Sequence, residues 1–180
     1  SGDPESWLRG GWGTNDRVLT YPVPGIDGAS AARVEITSYT NGDAKWFFTS
    51  VPVTGGETYT FSDQYRSSAA TNLTIRYARA DGSTFYIGLG NAPAAATWTP
   101  FSATFTAPTD AVSLTVLHIL FSTGYLETDN YRLAPSAPIA PFANGMISYS
   151  FDDGWLSQYE NALPILTAAN VPATFYIVSQ

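Results

Sequence analysis

Asn72-Leu73-Thr74-Ile75-Arg76-Tyr77, followed shortly by Asp81-Gly82, is the stretch that decides the architecture. In an extended chain Leu73, Ile75 and Tyr77 fall on one side and Asn72, Thr74 and Arg76 on the other, the period of two of a half-buried strand. An Asp-Gly pair tolerates the positive φ values of tight hairpins, so the strand is expected to turn back on an antiparallel neighbour. The pattern repeats outward from this point. Val34 and Ile36 alternate with Arg33, Glu35 and Thr37, Tyr59 and Phe61 with Thr58, Thr60 and Ser62, and Phe101, Ala103 and Phe105 with Ser102, Thr104 and Thr106. Asn41-Gly42 predicts a second antiparallel turn. The run Leu114 to Phe121 is almost continuously apolar, which predicts a central strand covered on both faces.

Short strands at roughly ten-residue spacing from Arg33 to Leu133 predict an antiparallel β-sandwich of the jelly-roll kind, assigned to residues 1–134. Composition agrees, because Tyr, Phe, Trp, Thr, Ser and Gly are abundant and Lys45 is the only lysine. The formal charge of -7 and the scattering of the arginines argue against a nucleic-acid partner. There are no cysteines, which removes disulfides, thiolate metal sites and cysteine nucleophiles. No apolar run is long enough to span a membrane, and Ser1-Gly2-Asp3-Pro4 has neither a charged nor an apolar leader region. Secretion or display at the cell surface is therefore expected from function alone.

Across 135–144 three prolines interrupt an alanine-rich segment, which predicts a stiff extended linker. The pattern then changes over 145–180. A buried strand from Met146 to Phe151, a helix around Asn161 to Ala169 with Asn161 as N-cap and Asn170 as its left-handed stop, and a strand from Ala173 to Val178 make a βαβ unit with parallel strands. Pro164 is compatible with the helix if it lies in the first turn, where its missing amide had no partner.

Phe151-Asp152-Asp153-Gly154 closes the first of these strands, the place where parallel α/β architectures gather chemistry. Neighbouring carboxylates at a strand end point in different directions, so one can hold a metal while the other takes a proton from water. Asp-Asp-Gly by itself equally suits a turn or a helix cap. Together with Ala173-Thr174-Phe175-Tyr176, the segment resembles the start of the polysaccharide deacetylase (NodB homology) family. That resemblance covers 145–180 and implies a distorted β/α barrel, truncated here. It implies Asp152 as general base, Asp153 as ligand of zinc or a similar divalent ion, and hydrolysis of N- or O-acetyl groups on a glycan. The family's other two ligands come from a downstream His-x-x-x-His, and its general acid is a later histidine. The only histidine here is His118, in the β-rich part, where a structural role is expected. The chain alone is therefore expected to be inactive.

Gly11-Trp12-Gly13, Gly42-Asp43-Ala44-Lys45-Trp46 and Thr128-Asp129-Asn130-Tyr131-Arg132-Leu133 make the first domain similar to jelly-roll carbohydrate-binding modules. Such modules lay sugar rings on exposed aromatics and fix hydroxyls with planar polar groups. Trp46, Tyr65 and Arg76 are the candidates here, against the alternative that the aromatics serve the core and the arginine is merely solvated. The resemblance also suggests Asp129 as a ligand of structural calcium, with a turn role as the alternative. Several further oxygens would be needed, and the opening strand that usually supplies an acid is expected to be missing.

The expected partner is an acetylated polysaccharide of the chitin, peptidoglycan or xylan type. Two other readings stand beside the deacetylase. One is a carbohydrate-binding or adhesion module with a degenerate tail; the other is a spacer that binds nothing.

Overall fold

The computed structural model describes residues 2–28, 30–136 and 149–176. The chain divides into two compact units, Ser1–Pro138 and Ile139–Gln180.

The first unit is a sandwich of antiparallel strands. One sheet has the order β1 (Trp7–Trp12), β4 (Asp43–Phe48), β10 (Ser113–Leu120), β7 (Thr71–Ala78), β8 (Thr84–Ala92), and the two-residue β5 (Val51–Pro52) also pairs with β10. The other has the order β2 (Asn15–Val23), β3 (Ala31–Tyr39), β11 (Gly124–Pro135), β6 (Thr58–Ser67), β9 (Ala95–Thr106). The expected jelly-roll sandwich is therefore present, with β1 and β2 added ahead of Arg33. β10 is central, as its apolar run predicts. Its even positions enter the main core, while Leu117 and Ile119 on the other face form a small cluster with Phe47.

Alternation sorts β6 and β7 as expected. Phe61 and Tyr65 of β6 meet Leu73 and Ile75 of β7 in the core, each at most 2% exposed. Asp81-Gly82 joins the paired strands β7 and β8, with Gly82 at φ 83°. Asn41-Gly42 departs from expectation, because it joins strands of different sheets: β3 lies in one and β4 in the other. The turn is a corner of the sandwich. A Cβ on Gly42, where φ is 94°, would lie 1.9 Å from the Trp12 carbonyl oxygen, so only glycine lets the corner approach β1 this closely.

Strand β11 runs through Pro135, which pairs with Tyr59, and the Ser136 amide donates to the Thr58 carbonyl. The sandwich thus reaches past residue 134 into the segment assigned to the linker. The rest of that segment, 137–144, lies outside the described residues.

In the second unit β12 (Tyr149–Phe151) and β13 (Ala173–Phe175) pair in parallel, with Tyr149 opposite Ala173 and Phe151 opposite Phe175. The helical segment between them has a π-helical part, Gln158–Ala162, followed by α1 (Leu163–Ala168). It starts earlier than expected and places Asn161 inside rather than at the cap. Pro164 does lie in the first turn of α1, and Asn170 is left-handed at φ 52°, both as predicted. The Phe151 and Phe175 rings stack at 4.8 Å, while Tyr149 is 43% exposed. Met146 to Ser148 and Ile177 to Val178, expected in these strands, lie outside the described residues.

Candidate functional site

Two sugar-binding expectations are corrected by burial. Trp46 and Tyr65 are each 2% exposed. Trp46 sits in the core with its Nε1 donating to the Arg33 carbonyl, and the Tyr65 hydroxyl donates to the Pro93 carbonyl. Neither can offer a ring face to a sugar. The phase of β6 explains Tyr65, which continues the inward series Tyr59, Phe61, Asp63.

Arg76 does point outward. Its strand neighbours in register are Thr115 on β10 and Tyr86 on β8. Opposite residues of an antiparallel pair share a face, so the registers define the whole outer surface of this sheet. Trp12, on edge strand β1, is 63% exposed, and Tyr86, on edge strand β8, is 62% exposed. Strand reading did not single out these two exposed aromatics. Trp12 stands between two glycines at a strand end where alternation has no purchase, and Tyr86 is flagged only by sharing a phase with Arg76.

Between the edges an ordered polar network lies beside the apolar cluster of Phe47, Leu117 and Ile119. Trp12 Nε1 donates to Asp43 Oδ2 at 3.0 Å, and Lys45 Nζ donates to Asp43 Oδ1 at 2.6 Å. These bonds fix the indole plane against its neighbour in register. Further along, the Thr74 hydroxyl donates to Asn72 Oδ1, and Asn72 Nδ2 donates to Asn91 Oδ1. A groove runs here, lined by Trp12, Asp43, Asn72, Ile119 and Phe121. Arg76 lies with its guanidinium carbon 5.0 Å from the centre of the Phe47 ring. The arrangement is an aromatic at each edge with both apolar side chains and amides, hydroxyls and charged groups between, a mixture suited to ring stacking and hydroxyl hydrogen bonds with a pyranose chain.

Asp129 is engaged by the backbone. Its Oδ2 accepts from the Ile26 amide at 3.0 Å and its Oδ1 from the Asn130 amide at 2.8 Å. Asn130, at φ 53°, donates through Nδ2 to Asp27. These bonds lie at the irregularity that interrupts the pairing of β11 with β6.

His118 has the structural role expected of it. It is 1% exposed; its Nδ1 lies 2.6 Å from Asp63 Oδ2 and its Nε2 lies 2.8 Å from the Thr71 hydroxyl. The three residues come from β10, β6 and β7, so the network ties one sheet to the other. Its complete burial excludes a substrate.

In the second unit Asp152 and Asp153 are both exposed in the turn after β12. Asp153 at φ 68° and Gly154 at φ 62° reverse the chain. Gln158 Nε2 donates to the Asp152 carbonyl at 2.8 Å, pinning the turn to the helix. Both carboxylates remain open to solvent, which suits a base and a metal ligand. A catalytic zinc takes three protein ligands, and no group of three or more His, Cys, Asp or Glu side chains forms a metal site among the described residues. The pair by itself does not fit the whole ion.

Comparison with known proteins follows the same division. Residues 140–180 match the family model of polysaccharide deacetylases. No curated protein matches the chain in sequence. Among solved structures, the enzymatically active domain of tailspike protein 4 from bacteriophage CBA120 is similar at TM-score 0.59 and 14% identity, over 73% of this chain and 20% of that one. The family 22 carbohydrate-binding module and catalytic module of Clostridium thermocellum xylanase 10B, solved with xylohexaose, are similar at TM-score 0.57 and 19% identity, over 94% of this chain and 35% of that one. The C-terminal family 22 module of the same xylanase gives TM-score 0.55 and 17% identity, over 77% of this chain and 91% of the module. The chain thus spans about a fifth and about a third of the first two proteins. At these identities the likeness shows the fold, a jelly roll of the carbohydrate-binding-module type. The chain joins that jelly roll to a segment matching the polysaccharide deacetylase family.

Proposed function

We propose that this chain is part of an exported carbohydrate-active enzyme. The jelly roll holds a polysaccharide across the outer face of the β1-β4-β10-β7-β8 sheet, and 145–180 begin a metal-dependent domain that removes acetyl groups from it. The observation that carries the binding half is the pair of exposed aromatics, Trp12 and Tyr86, on opposite edges of one sheet face. The match of 140–180 to the deacetylase model supports the catalytic half. The xylan-binding modules among similar structures favour a β-linked polymer of the xylan type.

In the reaction, water adds to the acetyl carbonyl carbon as one of its protons passes to Asp152; the bond from that carbon to the glycan nitrogen or oxygen then breaks, the abstracted proton ends on the amine or alcohol, and acetate is released. Asp153 would contribute one oxygen to the divalent ion, which polarises the carbonyl when bound. Because the described residues bring no ligand to join Asp153, the binding-module reading applies to this chain in isolation: it captures glycan and does not turn it over. Retention on insoluble acetylated xylan, chitin or peptidoglycan, with an acetate assay on the supernatant, tests both halves. Retention by at least one polymer without acetate release is expected. Retention by none would overturn the binding assignment, and acetate release by this chain would overturn the argument from missing ligands.

A further inference from the structure

The cations of the glycan face differ in how they are paired. Lys45 is held by Asp43. Arg76 pairs with no carboxylate among the described residues and donates no hydrogen bond to them, although it is half-buried in the middle of the sheet. The protein carries a net charge of -7, so an uncompensated cation at this place runs against its overall composition. The Phe47 ring, itself 7% exposed, lies close beneath the guanidinium, and such a contact restricts the side chain. A guanidinium so held presents a planar fork of N–H donors, a geometry that matches a carboxylate with two parallel bonds. Tyr86, its neighbour in register, offers an exposed ring for the sugar that would carry that carboxylate.

We infer that Arg76 makes this a module for an acidic glycan, one whose backbone or side substituents carry carboxylates, such as a uronic-acid-substituted polysaccharide. The inference rests on the glycan-binding reading of this face and adds the charge of its ligand. Arg76 selects by pairing with the sugar carboxylate, while Trp12 and Tyr86 stack on the rings regardless of charge.

The test is calorimetric titration of the full chain with glucuronic-acid-substituted xylan and with the same polymer after its carboxyl groups are reduced to hydroxyls. Tighter binding of the acidic polymer by about fivefold at low salt is expected, the upper end for a solvent-accessible ion pair, and it should shrink as salt rises. Arg76→Gln should abolish the difference between the two polymers. Arg76→Lys, which keeps charge but loses the fork, should retain only part of it. Equal binding of both polymers by the wild type, or a preference that survives in Arg76→Gln, would overturn the assignment. Binding of neither polymer would instead overturn the glycan-binding reading itself, and the inference with it.

Discussion

Replacing His118 by leucine probes the bond between the two sheets. His118 and Asp63 side chains are both 0% exposed, and the Nδ1 to Oδ2 distance is 2.6 Å. Leucine fills a similar volume, so the substitution removes the partner of the carboxylate without opening a large cavity. Asp63 Oδ1 already has no hydrogen-bond partner among the described residues, so the variant would bury a carboxylate with neither oxygen bonded. Removing one member of a buried pair costs about 3–5 kcal/mol, a large share of the total stability of a small domain. Asp63→Leu should cost less, about 1–3 kcal/mol, because the imidazole left behind keeps its hydrogen bond to Thr71 and carries no obligatory charge. The double variant replaces the pair by two apolar groups and should lie closer to wild type than His118→Leu does, giving a coupling of at least about 2 kcal/mol. Urea unfolding followed by tryptophan fluorescence is the assay, with buried Trp46 reporting on the core. A loss below about 1 kcal/mol in His118→Leu, or additive effects in the double variant, would refute this reasoning.

Other outcomes follow from single sites. Tyr131 is held well above the usual tyrosine value of 10.0, first by burial of its hydroxyl and then by the charge of Asp63. Its folded form therefore resists ionisation that the unfolded chain undergoes, so stability is intact below about pH 10 and falls above it, by up to about 1.4 kcal/mol per pH unit from this group. Alkaline unfolding should be shallower in Tyr131→Phe, and an unchanged pH slope would contradict the assignment. Gly42→Ala should cost about 1–3 kcal/mol from its positive φ and from the clash with the Trp12 carbonyl, and should also weaken glycan binding by shifting Trp12. Thermal melts and titration of that variant check both effects.

Much of the sandwich is legible because its strands obey a period of two over long runs. β6 and β7 keep one phase throughout, so Phe61, Leu73 and Ile75 are recognisable as core from their spacing alone. Which strands share a sheet is less legible, since Asn41-Gly42 has the chemistry of a hairpin turn yet serves as a corner between sheets. β1 escapes because Gly10 and Gly11 interrupt its alternation, and with it goes the signal for Trp12. The error at Trp46 has a similar origin. Trp46, Phe47 and Phe48 are three consecutive large aromatics, and only the fold decides that Trp46 turns inward while Phe47 supports Arg76 on the opposite face. The Asp63–His118 pair joins residues that no local pattern connects, so burial of the histidine can be anticipated but its partner cannot. In the second unit the order of strand, helix and strand is readable from apolar runs and from Asn170, whereas the early π-helical start is not.

On the proposed reading the glycan lies across the sheet between Trp12 and Tyr86. Titration calorimetry of the wild type, Trp12→Ala and Tyr86→Ala with a xylan-type oligosaccharide tests it most directly. Each substitution removes one stacking platform from an exposed position and should weaken binding about tenfold, or about 1.4 kcal/mol, in a chain that stays folded by circular dichroism. Wild-type affinity in both variants would contradict the account.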